Sequence, residues 1–220
     1  PLTTLLAHLE TLQMKQSELT SQERGEYLDV ATRQSQRIGL LVEQLLEAAK
    51  LEAGQVTVNV EPFPIGELLQ DVVQKFALAA RDCGVALDVD AMAAATMVSG
   101  DIALLERVLD NLIDNALRHT PVGGRVTVQS QPRGERVRIA VIDSGPGLTR
   151  EEAERAFERF YRGDPGRSTR SGQSGLGLAI VKSILELHGS NIAVDSQPGH
   201  GASFYFELPI VTQPARTAPT

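Results

Sequence analysis

Asn111-Leu-Ile-Asp-Asn115-Ala-Leu-Arg118-His119 sets two amide side chains one helical turn apart, with basic Arg118 one step further round. Helix geometry puts positions i and i+4 on one face. Leu105, Val108, Leu109, Leu112, Ile113 and Ala116 occupy much of the rest of that helix. Two carboxamides on a largely apolar helix are costly unless they have partners. A Mg²⁺ ion carrying a polyphosphate would supply them, because Mg²⁺ prefers oxygen ligands and takes few from the protein. Taken alone, the pair fits more simply as Asn side chains bonded to nearby backbone.

Three more blocks follow in order. Asp143-Ser-Gly145-Pro-Gly147 comes after a strand-like run, Val137 to Ile142. A carboxylate only accepts hydrogen bonds, so Asp143 suits an exocyclic amino group. Gly145 and Gly147 would let the backbone turn sharply and approach a ring closely. An ordinary Asp-Ser-Gly turn is the alternative. Phe157-Glu-Arg-Phe160 comes next, and Gly172-Gln-Ser-Gly175-Leu176-Gly177-Leu178 opens a helix. A glycine-rich helix start is a potential phosphate site, since free N–H groups and the dipole favour an anion. It is neither a Walker A loop, which needs Gly-Lys-Ser or Gly-Lys-Thr, nor a dinucleotide fingerprint. Between Gly147 and Gly172 lie Arg150, Arg155, Arg159, Arg162, Arg167 and Arg170, most of which read as a solvated basic loop.

In this order and spacing the four blocks resemble the N, G1, F and G2 boxes of the bacterial sensor histidine kinases. The resemblance runs from Pro1 to about Pro209. It implies an ATP-binding domain in which Asn115 ligates Mg²⁺ and Asn111 supports it. Asp143 would read adenine, with Gly145 and Gly147 shaping the adenine loop. Arg118 and Arg162 would contact phosphate, and His119 would pack near the purine or the lid. Gly175, Leu176, Gly177 and Leu178 would form the phosphate end. Phe157 and Phe160 would pin a short helix of a mobile lid against the domain. The family usually has a Gly where this chain has Gln173, which leaves the lid's local conformation open.

Composition sets outer limits. At 220 residues, with 42% hydrophobic, the chain can bury a core in one ordinary domain plus a smaller element. A net charge of −7 argues against a nucleic-acid partner. No apolar run approaches the roughly 18–20 residues that span a bilayer. The single Cys83 excludes an intramolecular disulfide and fits a reducing cytosol.

The expected fold class is α+β: a helical hairpin, dimerising to a four-helix bundle, followed by a Bergerat-type α/β sandwich. Domain limits are expected at 1–55 for the hairpin, 56–210 for the ATP-binding domain and 211–220 for a disordered tail. Leu2, Leu5, Leu9 and Leu12, then Leu28, Ala31, Ser35, Ile38, Val42, Leu45 and Ala49, space as an a/d seam on two helices. Thr20 or Ser21 would cap the second helix. Strands are expected at Val56–Val60, Val85–Asp90, Arg125–Ser130, Arg136–Ile142, Asn191–Asp195 and Ala202–Leu208. Helices are expected at Ile65–Cys83, after a capping Asp101, and at Gly175–Leu187. The result is a mixed sheet covered by helices on one face. Pro209 to Thr220 reads as disordered.

The related gyrase, mismatch-repair and chaperone ATPases place a water-activating Glu where this chain has Asn111. The resemblance therefore implies transfer to a protein nucleophile rather than to water. Pro1-Leu2-Thr3-Thr4-Leu5 matches the family's acceptor motif from its Pro onward, so the acceptor His is expected about five residues before Pro1, outside this chain. With no initiator Met or signal sequence, the chain reads as an excised fragment, and the resemblance implies the cytoplasmic part of a parent anchored in the bacterial inner membrane. Expected partners are a second copy, through the hairpin, and a response-regulator receiver domain. A nucleotide-binding dimeric scaffold without kinase activity is the alternative, favoured only by Gln173.

Overall fold

The computed structural model describes residues 2–15, 19–161 and 175–211. The chain divides into two compact units, Pro1–Ala49 and Lys50–Thr220.

Helix α1 (Leu2–Met14) and helix α2 (Ser21–Glu52) form the hairpin. Thr20 is the residue that caps α2. Its hydroxyl accepts from the Glu23 N–H at 3.2 Å, and the Glu23 carboxylate accepts from the Thr20 N–H at 2.8 Å. Two orphan donors are satisfied reciprocally, which fixes the start of the helix. At the far end Gly54 is left-handed (φ 62°). Gln55 N–H donates to Lys50 O and Gly54 N–H to Leu51 O, the paired bonds of a Schellman stop.

The expected seam is only partly inside the single hairpin. Leu5, Leu12, Ala31 and Ile38 are shielded, but Leu2, Leu9, Leu28, Val42 and Leu45 are exposed. Length explains the second helix: 13 residues of α1 extend about 20 Å, and 32 residues of α2 about 48 Å. The distal half of α2 outruns its partner helix.

In the second unit residues 55–60 form neither helix nor strand. The alternating Val56–Val60 has the pattern of a strand but no ladder partner. The strand begins later, as β1 (Glu61–Pro64), pairing antiparallel with β3 (Met97–Gly100), an element the sequence did not disclose. A two-stranded ribbon is all edge, which is why Pro62 and Pro64 are tolerated in it.

Helix α3 (Ile65–Asp82) follows, then β2 (Ala86–Ala91). After β3 come α4 (Ile102–His119), β4 (Arg125–Arg133) and β5 (Arg136–Asp143). The short α5 (Arg150–Arg155), α6 (Gly177–Leu187), β6 (Ala193–Ser196) and β7 (Ala202–Pro209) complete the unit. The main sheet runs β2-β4-β5-β7-β6, parallel at β2–β4 and antiparallel elsewhere. It is mixed because β2 returns through α4, whereas β4–β5 is a direct hairpin.

Alternation along β4, β5 and β7 buries Val126, Val128, Val137, Ile139, Val141, Phe204, Phe206 and Leu208. These meet Leu105, Leu109, Leu112 and Ile113 of α4 and the apolar face of α3, and α6 packs against α4. Each such fully buried side chain contributes roughly 1.5–3 kcal/mol of gross transfer free energy. Ser130 on the same face is fully buried, and its hydroxyl has no partner among the described residues. The tail expected to be disordered from Pro209 stays attached a little longer. Ile210 N–H donates to Glu135 O and Val211 N–H to Met97 O. Residues 212–220 lie outside the described residues.

Candidate functional site

The site is built along α4. Asp101 caps it, accepting from Leu104 N–H at 3.1 Å and from Asn59 N–H at 2.8 Å. The apolar stripe of α4 faces the sheet, so Asn111, Asn115 and His119 fall on a half-buried flank. Asn111 Nδ2 donates to the Arg107 carbonyl oxygen at 2.8 Å, the backbone bond that the pair taken alone suggests. Its Oδ1 sits 3.0 Å from the place a Cβ on Gly177 would occupy. A side chain at residue 177 would crowd the Asn111 amide, so glycine here gives the start of α6 a close approach to α4. Arg118, exposed, donates from Nε to Asp114 at 2.8 Å.

At the other end of α4 lies Asp143, the last residue of β5 and 7% exposed. Its Oδ1 accepts from the Gly145 N–H at 2.8 Å. Burial pushes the Asp143 carboxyl above its ordinary range, against the opposing pull of the Gly145 and Ala202 amides and the nearby His119. A Cβ on Gly145 would lie 2.8 Å from the His119 carbonyl oxygen, so this loop rests on the C-terminus of α4. One helix thus touches Gly177 with Asn111 and Gly145 with His119, two contacts about 12 Å apart along its axis.

The turn between β6 and β7 closes over the same loop, which nothing in the sequence reading anticipated. Gly199 N–H donates to Pro146 O at 2.7 Å. Side chains at Gly147 or Gly201 would run into the Gln197 and Asp143 carbonyl oxygens. Positive φ at Gly147, Gly199 and Gly201 is the conformational reason glycine recurs there. Gly-His-Gly at 199–201 was the available signal.

Gly175, also left-handed, accepts on its carbonyl from the Phe160 N–H at 2.9 Å. Leu176 is fully buried and acts as a core anchor, while Leu178 is half-buried. Among the described residues no side chain caps α6. Phe157 stands edge-on to Phe204, with ring centroids 6.2 Å apart. Phe160 does not share that role: it adopts φ 58° and is 62% exposed, so the pair does not pin a helix together. The helix itself, α5, ends before Phe157 and is fixed instead by a Thr149–Glu152 capping box. Arg162, Arg167, Arg170, Gly172 and Gln173 lie outside the described residues. Among the described residues no cluster of three His, Cys, Asp or Glu side chains is arranged to hold a metal, and no helix is long and apolar enough to cross a membrane.

A family model described as "Histidine kinase-, DNA gyrase B-, and HSP90-like ATPase" matches residues 100–212, and one described as "His Kinase A (phospho-acceptor) domain" matches residues 1–54. The chain belongs to the sensor histidine kinases. Among them, the sensor-like histidine kinase SenX3 of Mycobacterium tuberculosis is 36% identical over 180 residues, covering 82% of this chain and 44% of SenX3. The chain thus spans less than half the length of that relative. The histidine kinase ShkA, solved full-length in complex with AMPPNP, superposes with a TM-score of 0.75 at 26% identity, covering 96% of this chain and 44% of that one. The histidine kinase ThkA, solved in complex with the response regulator protein TrrA, shares the fold with a TM-score of 0.75 at 23% identity, covering 94% and 58%. The helical hairpin and one-sided mixed sheet are the architecture of this family, and the larger unit is its ATP-binding type of domain.

Proposed function

We propose that the chain binds Mg·ATP along α4 and passes the γ-phosphoryl group to a histidine of the hairpin domain, for relay to a response-regulator aspartate. The observation that carries this reading is the double contact of α4, with Asn111 at the start of α6 and His119 at the Asp143–Gly147 loop. A single elongated ligand laid along this flank meets an acceptor carboxylate at one end and helix-terminal amides at the other.

Each group has a role that its geometry allows. The Asp143 carboxylate has acceptor capacity beyond its backbone bonds and takes the adenine amino group. The start of α6 can turn its N–H groups toward phosphate oxygens, and Gly175 and Gly177 keep side chains out of the approach. Arg118 turns to phosphate at little cost, because its surface pair with Asp114 is worth only about 0.3–0.5 kcal/mol. Asn115 supplies one oxygen to Mg²⁺, which fits an ion that takes most of its ligands from phosphate and water. Mg²⁺, when bound, neutralises charge on the transferring group.

Among the described residues of α4, none obviously replaces the water-activating base, so water attack is poorly supported. Asn111 stands where a base is needed, and its amide is already bonded to Arg107 O. Asp110 and Glu106 are held by Lys75 of α3 at 2.7 and 2.9 Å, and Asp114 by Arg118. This favours a protein nucleophile as the acceptor, which the family resemblance would put about five residues ahead of Pro1. His8 is not a substitute: its Nδ1 lies 2.7 Å from Thr4 O and its ring packs on Tyr27. We extend the reading to the cytoplasmic kinase portion of a membrane-anchored sensor that dimerises through the hairpin.

Titration calorimetry with and without Mg²⁺ tests the site. Asn115→Ala should abolish the Mg²⁺-dependent part of ATP affinity and leave metal-free binding intact. Unchanged Mg²⁺ dependence would remove Asn115 from the site.

A further inference from the structure

We infer that Ser196, about 50 residues from Asp143 in sequence, is a positioning residue that sets adenine selectivity. The inference rests on the reading that Asp143 receives adenine. A carboxylate discriminates amino from carbonyl groups only if its direction is fixed, and Asp143 points where the following loop holds it, through the Gly145 N–H. That loop contains two glycines and a proline, and glycine gives a loop more freedom to lose than any other residue. Something outside the loop has to hold it.

Ser196 does so with one hydroxyl. Its Oγ accepts from the Leu148 N–H at 2.8 Å and donates to the Gly201 carbonyl oxygen at 2.6 Å. The first bond fixes the end of the Asp143–Leu148 loop. The second fixes the turn whose Gly199 N–H holds Pro146 and whose Ala202 amide bonds the Asp143 carboxylate. Because Gly147 and Gly201 bring backbone against backbone with no room for a Cβ, a small displacement of the turn is passed directly to the loop. The Ser196 hydroxyl uses its donor and an acceptor site at once, so removing it strands an N–H and a C=O together.

The test compares ATP and GTP affinities of the full chain, wild type, Ser196→Ala and Ser196→Thr, by fluorescent-nucleotide displacement. Ser196→Ala should weaken ATP about tenfold while leaving GTP within about twofold, because GTP does not use the Asp143 acceptor. Ser196→Thr, which keeps the hydroxyl, should restore the ratio. Loss of folded protein lowers the amplitude of probe binding without moving either dissociation constant, whereas lost positioning raises the ATP constant at full amplitude, which separates positioning from stability. If Ser196→Ala does not fold, Ser196→Cys, a much weaker hydrogen-bonding group of similar shape, is read in its place. An unaltered ATP-to-GTP ratio in the variant overturns the role of Ser196 alone. A wild type with no preference for ATP overturns the Asp143 reading and this inference with it.

Discussion

Asp143 occupies a position that costs stability and, in the proposed reading, serves binding. Burial raises its pKa above the ordinary 3.8, more than its backbone hydrogen bonds lower it. A carboxyl raised in the folded state favours folding while protonated, and that contribution is lost as pH rises through the folded pKa. At neutral pH the ionised group is therefore a net cost. Asp143→Asn, which keeps an oxygen for the Gly145 N–H, should raise the Tm at pH 7. The gain should vanish below pH 3.8, and ATP should lose its advantage over GTP. Thermal melts at both pH values check it; a lower Tm at pH 7 contradicts the cost assigned to the charge. At this scale Asn111, Asn115 and Asp143 could be singled out in the sequence because the chemistry proposed for them resides in the residue type. Ser196 was not, because a serine at a strand end looks like any other until the chain brings Leu148 and Gly201 to it. Phe160 misled for a related reason: its spacing from Phe157 is helical, but the helix has already ended.

At the scale of elements, the direction of α4 is set at its N-terminus. Asp101 bonds Leu104 and Asn59, and its own N–H donates to His188 Nε2 at 3.0 Å. His188 Nδ1 lies 2.8 Å from Ile184 O, so the ring carries its proton on Nδ1 and accepts on Nε2. The C-terminus of α6 is thereby tied to the cap of α4. Asp101→Ala should cost about 2 kcal/mol and His188→Ala about 1 kcal/mol in urea unfolding. A midpoint unchanged in His188→Ala would show that this tie contributes nothing. Helices α3, α4 and α6 and strands β4, β5 and β7 were readable because apolar period and length agreed. The β1–β3 ribbon was not: two prolines argue against one strand, and the other is four residues ending in glycine. Val56–Val60 shows the converse, an alternating pattern with no partner to pair with.

For the whole molecule, the hairpin exposes Leu28, Val42, Leu45 and Leu46, each about half accessible in the single chain. A second copy would bury this row, in keeping with a hairpin of the His Kinase A type. Val42→Lys with Leu45→Lys should convert dimer to monomer in sedimentation equilibrium while ATP binding persists. A dimer that survives both charges refutes this interface. The heptad spacing singled out Leu28, Val42 and Leu45 but not Leu46, and spacing cannot say whether a row faces the chain's own helix or another copy. The central claim is transfer of phosphate to a histidine, and it is tested most directly on a longer chain that includes the histidine expected about five residues before Pro1. Incubated with Mg²⁺ and γ-phosphate-labelled ATP, that chain should acquire acid-labile, alkali-stable label, while Pro1–Thr220 alone should bind ATP and stay unlabelled. Nucleotide binding without label on the longer chain, or label at His8 on the shorter one, would contradict the account.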